Sequence, residues 1–318
     1  MTDYHKQLRT GVVLSSGGVR GVYAHTGFLL ALQQMGIKVQ AIAGCSAGAV
    51  VGGVYASGSH LQDWAKEVLT LKTRQFWAPS WFGFFGSFLH QGRGYTGLST
   101  TKPAMDFCAQ QLQAKTFENC QIPFYALAKN LATGDKTVFR QGLLAPRIVA
   151  SAAIPLLYEP VEIDSQFYCD GALLDLAPTD AICCKHKLDI LIVHHVAHRN
   201  TGRVGLRKVM QRPWTLLTIL NMLLYQQRPW YLSDQPLVYR RCPCGCNAII
   251  VVIEPTLPEL FWPVIQGGMK IMDAARQQGS LLLARYIDNL QQQGGSLSGL
   301  VEEVSAEQVN RSKRYSAS

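Results

Sequence analysis

Ser46 is the residue of this chain best placed for nucleophilic chemistry. It stands at the centre of Gly44-Cys45-Ser46-Ala47-Gly48, a G-x-S-x-G pattern. A serine on a tight turn between a strand and a helix has its hydroxyl pushed off the sheet edge. Glycines two residues to either side let the strand and helix backbones pass closely. The flanks suit this, since residues 39–43 read as a buried strand and residues 47–56 as a helix of small residues. Such a helix also sets the positive end of its dipole beside the serine oxygen. The five-residue pattern alone fits a small-residue helix packed on a sheet equally well, so other parts of the chain must decide.

A second turn of the right chemistry precedes it. Ser16-Gly17-Gly18-Val19-Arg20-Gly21 follows a short β-branched run at 11–14 and opens a helical stretch over 22–35, where Phe28, Leu29, Leu32 and Met35 recur at helical spacing and Gly36 is a natural stop. A glycine-rich turn at a helix N-terminus points backbone N–H groups at an anion. The anion is either a dinucleotide pyrophosphate or the oxyanion of an acyl-transfer intermediate. Dinucleotide binding needs a carboxylate about twenty residues on, at the end of the second strand. That place holds Ala43-Gly44-Cys45-Ser46, with no acid. The oxyanion reading therefore gains, because adjacent parallel strands bring both turns to one edge of the sheet.

A serine hydroxyl needs a base. Asp170, in Asp170-Gly171-Ala172, lies at an expected turn that would put its side chain at the end of an element. In order, GGVRG, GCSAG and DGA resemble the patatin-like phospholipases, over a region from about Gly11 to about His198. The run Ser151-Ala152-Ala153-Ile154-Pro155 and residues 158–161 are also similar to that family's approach to its DG[AG] element. The resemblance implies an α/β fold with a mostly parallel central sheet flanked by helices on both faces. It also implies a lipid acyl hydrolase with Ser46 as nucleophile and Asp170 as general base, acting on phospholipid or lysophospholipid esters without a cofactor or metal. Gly17 and Gly18 would supply the oxyanion hole, with Arg20 and Gly21 completing the turn, and Gly44, Gly48, Gly171 and Ala172 complete the motifs. One position departs from the family's G-x-G-x-x-G: its first glycine is Ser16 here, and serine tolerates positive φ poorly. That departure is the one motif-level hint of the alternative, a non-catalytic lipid-binding or regulatory protein of the same fold.

His194, His195 and His198 follow Asp170, so the chain order Ser, Asp, His of a triad is also satisfied. Residues 188–193 read as a strand running into the first two, which favours packing roles for them. Residues 122–128 and 248–253 are further expected strands, and 269–290 a long helix. Strands alternating with helices indicate a parallel sheet with covered faces.

The hydrophobic share of 48% and charged share of 16% exclude a disordered chain. No apolar run reaches the ~18 residues of a spanning helix, which excludes a polytopic membrane protein. The net charge of +9 favours anionic partners. With no nucleic-acid-reading motif, an anionic membrane surface met peripherally, or an acidic substrate, is the expected one. Seven aromatic residues between Phe76 and Phe88, and the basic stretch from Arg203 to Arg212, are the candidate contacts. They read equally well as a small core under a loop and a solvated turn. Residues 1–10 lack the apolar segment of a signal peptide, so the nine cysteines read as reduced thiols in a cytoplasmic protein. Cys242, Cys244 and Cys246 lack an obvious fourth ligand and read as structural or incidental, with metal binding or thiol redox chemistry as the alternative. The organisation expected is a polar tail at 1–10, the catalytic domain at 11–200, an extension at 201–291 and a flexible tail at 292–318.

Overall fold

The computed structural model describes residues 8–80, 96–196, 229–258 and 267–302. In chain order the main elements are β1 (Thr10–Leu14), α1 (Gly18–Gln34), β2 (Val39–Cys45), α2 (Ala47–Ala56), α3 (Leu61–Thr70), β3 (Gly97–Ser99), α4 (Lys102–Gln111) and β4 (Phe124–Asn130). They continue with β5 (Lys136–Phe139), α5 (Leu144–Ala152), β6 (Leu156–Tyr158), β7 (Val161–Ile163), β8 (Gln166–Asp170), β9 (Ile190–His194), β10 (Leu237–Arg241), β11 (Ile249–Ile253) and α6 (Gly268–Gln292).

Nine strands form one sheet in the order β10-β11-β9-β1-β2-β4-β8-β7, with β5 on the other side of β4. From β11 to β4 the neighbours are parallel, and antiparallel strands extend both ends. The parallel strands are buried, as sequences such as Ile-Leu-Ile-Val require. Alternate side chains take opposite faces. Val12, Leu14, Ile42, Ile192 and Val251 join one core with α1, α2, α5 and α6. Val13, Ala43, Leu191, Val193 and Ile250 face a second core. Among the described residues that second face is covered by the turns and loops of 177–188 and by Tyr231 rather than by α-helices. Phe28 of α1 is fully buried, which stabilises the fold by roughly 1.5–3 kcal/mol.

Three boundaries differ from those expected. Helix α1 begins at Gly18, four residues early, because the glycine-rich turn is itself the first helical turn. Thr10 belongs to β1, and Arg9 pairs with Asp189, so the polar tail ends before residue 9. The tail expected from 292 is packed as far as Glu302: Leu297 is buried, and Glu302 bonds Tyr239 through its N–H and Arg240 through its carboxylate. The extension contributes β10 and β11 to the main sheet. No described helix is long and apolar enough to cross a membrane.

Candidate active site

The sheet order brings Ser46 to Asp170. Strand β2 runs parallel to β4 and its pairing ends at Cys45 opposite Leu127. Strand β8 runs antiparallel to β4, pairing Asp170 with Ala128. Because β5 occupies the opposite edge of β4 over Ala126–Lys129, β2 and β8 must share the remaining edge. They meet end to end there, one residue apart along β4. The last residues of two strands that are 125 positions apart in sequence thus become neighbours.

Ser46 Oγ donates to Asp170 Oδ2 at 2.7 Å. Ser46 has φ 54° and ψ −119°, a left-handed region that non-glycine residues rarely enter and that costs of the order of 1–3 kcal/mol. Two sets of bonds hold it there. Its carbonyl accepts from the N–H groups of Ala49 and Val50. Its own N–H donates to Ser151 Oγ at 3.0 Å, and that hydroxyl donates to the Leu127 carbonyl at the junction of the two strands. Ser151 therefore ties the serine turn to β4. The signal for it lay in the Ser-Ala-Ala run, where a hydroxyl stands inside an otherwise apolar helix end. A Cβ on Gly48 would lie well inside van der Waals distance of the Leu14 carbonyl, which is why only glycine lets α2 start this close to β1.

Asp170 is completely buried. Its carboxylate accepts from Ser46 Oγ and from the Ala172 N–H at 2.9 Å, and the Cys45 thiol approaches it at 3.9 Å. Burial raises its pKa to about 6, against the opposing pull of these donors. The Asp-Gly turn is a short 3-10 turn, Gly171–Leu173, capped by Asp170 itself. It leads to Asp175, whose carboxylate meets Lys136 Nζ of β5 at 2.7 Å; the same ammonium meets Asp180 at 2.6 Å. This pin was not visible in the sequence, because Lys136 carries no motif.

The glycine turn lies against the serine turn. A Cβ on Gly21 would come within 2.9 Å of the Ala47 Cβ, the residue after Ser46. Gly17 caps α1 and Gly18 has φ +55°, where a Cβ would meet no neighbour; conformation rather than space selects glycine at 18. The first N–H groups of a helix have no partner within it. At Gly18, Val19 and Arg20 they therefore face out of the N-terminus. The Gly21 N–H donates to the Gly17 carbonyl at 2.8 Å, so Gly21 closes the turn rather than offering a donor. The Arg20 guanidinium bonds the carbonyls of Val196, Leu257 and Pro258, anchoring the turn to the loops after β9 and β11. Ser16 is buried, has no positive φ, and donates its N–H to Leu176 at 2.7 Å. A glycine is therefore not required at that position.

The histidines go elsewhere. His194 Nδ1 lies 2.8 Å from His25 Nδ1, and its ring stacks on Phe28. Burial holds both imidazoles neutral, His25 near 4 and His194 well below the ordinary range. His195 Nδ1 meets the Tyr231 hydroxyl at 3.2 Å. No described imidazole bonds Ser46 or Asp170, so His194 and His195 do not complete a triad. His198, the residues from Arg203 to Arg212, and Trp81, Phe82, Phe84, Phe85 and Phe88 lie outside the described residues. Of the aromatic run, Trp77 donates to the Leu157 carbonyl and the Phe76 carbonyl accepts from the Tyr158 hydroxyl.

A family model for patatin-like phospholipase matches residues 12–182, more than half of the chain, and the chain belongs to that family. An uncharacterized NTE family protein of Mycobacterium bovis is 34% identical over 172 residues, covering 54% of this chain and 44% of that protein. Lysophospholipase NTE1 of Cryptococcus neoformans var. neoformans is 26% identical over 326 residues, 96% of this chain and 19% of that protein. The chain thus spans less than half the length of these relatives. Among solved structures, VipD from Legionella pneumophila is similar with a TM-score of 0.48 and 14% identity, over 96% of this chain and 74% of that one. Human GIVD cytosolic phospholipase A2 gives 0.48 and 12%, over 91% and 59%.

Proposed function

We propose that this protein hydrolyses acyl esters of lipids, of the phospholipid or lysophospholipid class, through a Ser46–Asp170 dyad. The observation that carries this is the 2.7 Å bond from Ser46 Oγ to a fully buried carboxylate whose pKa is raised to about 6. An ordinary aspartate is too weak a base to take a serine proton at neutral pH. Desolvation strengthens it, and a value just below the working pH leaves it ionised and ready to accept.

In the first half-reaction Ser46 Oγ attacks the ester carbonyl carbon as its proton passes to Asp170. The carbonyl oxygen becomes an oxyanion held by backbone N–H groups around Gly18. The intermediate collapses, the alcohol portion leaves with the proton from Asp170, and the acyl group stays on Ser46. Water then gives a proton to Asp170 and attacks the acyl carbon, releasing the fatty acid and returning the proton to Ser46. Besides the ester and water, every step uses only groups of this chain. The names of a lysophospholipase relative and of the family support the substrate class.

The reaction requires contact with a lipid surface, and the net charge of +9 favours an anionic one. Stronger co-sedimentation with anionic than with neutral vesicles is expected, and equal binding removes the electrostatic part. The central test is labelling by a fluorophosphonate probe, with Ser46→Ala and Asp170→Asn as comparisons. Labelling of the unaltered chain, lost in Ser46→Ala, is expected. A folded, unaltered chain that takes no label and releases no fatty acid from a lysophospholipid panel overturns the reading and favours the non-catalytic alternative.

A further inference from the structure

Five cysteines converge at the other end of the sheet from Ser46. Cys183 and Cys184 lie in the turn leading to β9, and Cys242, Cys244 and Cys246 in the connection between β10 and β11. The Sγ atoms of Cys183, Cys184, Cys244 and Cys246 all lie within 4.8 Å of one another. Cys183 is 3.6 Å from Cys184 and 3.5 Å from Cys244. Four sulfurs placed tetrahedrally at the usual Zn–S distance of about 2.3 Å are about 3.8 Å apart. The two Cys183 distances are close to that, and the Cys184–Cys244 pair, at 2.6 Å, would open by about an ångström around an ion.

Apolar packing accounts for buried Cys183 and Cys242, which belong to the second core. It does not account for Cys184 and Cys244, which are exposed yet meet at 2.6 Å across sixty residues of sequence. Exposed thiols gain nothing from burial, so their meeting needs another cause. Sulfur-only donors in a tetrahedral group select zinc or iron among common metals, and a site with no redox duty selects zinc. A zinc tetrathiolate carries two net negative charges, and the same two segments of sequence also carry Lys185, Lys187 and Arg241. A turn closed by the Gly245 N–H on the Cys242 carbonyl, with Gly245 at φ +80°, presents Cys244 and Cys246 from one loop.

We propose that Cys183, Cys184, Cys244 and Cys246 bind one zinc ion, a structural site that clasps the β10–β11 pair to the segment entering β9. The match to the family model ends at residue 182, so the clasp lies just beyond the matched region. Zinc displaces the thiol protons to solvent as it binds, and its binding free energy becomes folding free energy. Cys242, whose Sγ is 2.9 Å from that of Cys244, is a buried fifth thiol outside the set of four.

The test is elemental analysis of the full chain purified under reducing conditions without chelator. About one zinc per chain is expected, lost in Cys184→Ser and Cys244→Ser and kept in Cys120→Ser. The first two side chains are exposed, so serine leaves the core intact there. Removing zinc with a chelator should lower Tm by several degrees, and adding zinc back should restore it. Cobalt added to the stripped protein should give the sulfur-to-metal charge-transfer and d–d absorption of a tetrahedral thiolate site. The proposal is overturned by protein that holds no metal and gives no cobalt spectrum, by an iron–thiolate spectrum in place of zinc, or by a mass two hydrogens light that shows a Cys184–Cys244 disulfide.

Discussion

At the C-terminal ends of β1, β2 and β8 the candidate catalytic groups come from turns whose residue types are themselves unusual: a glycine pair, a serine between glycines, an Asp-Gly step. At the N-terminal ends of β9 and β11 the converging groups are cysteines in turns that carry no catalytic pattern. The first edge is specified locally, and the sheet only has to place three preformed turns side by side. The second edge is specified almost wholly by strand pairing, because β9 and β11 are parallel neighbours and so carry their preceding turns to one place. A site built from local turns is legible before folding, and one built by pairing is not.

Removing the nucleophile should separate the two edges most sharply. Ser46→Ala is expected to lower ester hydrolysis by ~10⁴-fold or more, while the metal content of the thiol cluster stays unchanged. Gly18→Val should reduce kcat by ~10²–10³-fold, the usual loss of an oxyanion donor. Here a β-branched side chain must enter φ +55°, and unchanged circular dichroism would show that the loss is local. Ser151→Ala removes the acceptor of the Ser46 N–H and frees the Leu127 carbonyl. A stability loss of about 1–3 kcal/mol by urea unfolding is expected, with a smaller fall in kcat than for either change above.

The pH dependence follows from Asp170. Its base form is needed, so kcat/KM should rise through about pH 6 to a plateau. Stability runs the other way for this group. Its folded pKa lies above the unfolded one, so the fold loses stability as pH rises from about 4 to about 6, and the full penalty remains above that. Asp170→Asn should therefore abolish turnover yet raise Tm at pH 8, by up to roughly 3 kcal/mol of stability, with the gain vanishing near pH 4. His25 and His194 have folded values below their unfolded ones, so each withdraws stability as pH falls below about 6.5. Unfolding midpoints of Asp170→Asn should fall from pH 8 to pH 5 through these two histidines together with His186, whose value burial also lowers, and a flat profile contradicts this.

Much of the parallel core could be read from the chain. The strands at 39–43, 122–128, 188–193 and 248–253 and the helices at 47–56 and 269–290 all have counterparts within a few residues, because buried parallel strands and apolar helix faces leave continuous or periodic patterns. Strand β10 leaves no such pattern: Leu-Val-Tyr-Arg-Arg mixes charge with apolar residues, and it forms only because β11 offers it an edge. Strand β8, Gln-Phe-Tyr-Cys-Asp, is equally mixed and is held by its pairing with β4 and β7. Ser151 stands in the sequence within a motif-like run, but its bond to the serine turn needs the packing of α5 against β4 to exist. His194 illustrates the converse. Its place in chain order suits a triad, yet the alternation of β9 sends its ring to the core shared with Phe28.

Composition, turn chemistry and periodicity by themselves determined the α/β class, the two turns that carry glycine and serine, and the Asp-Gly step, since each is a local consequence of what a short stretch of backbone can do. Only the tertiary structure decided that β2 and β8 end against each other on one edge of β4, that Asp170 loses all contact with water, and that two cysteines near 183 meet three near 244. Those facts depend on strand order and on burial, which are properties of the whole sheet and are written in no single segment.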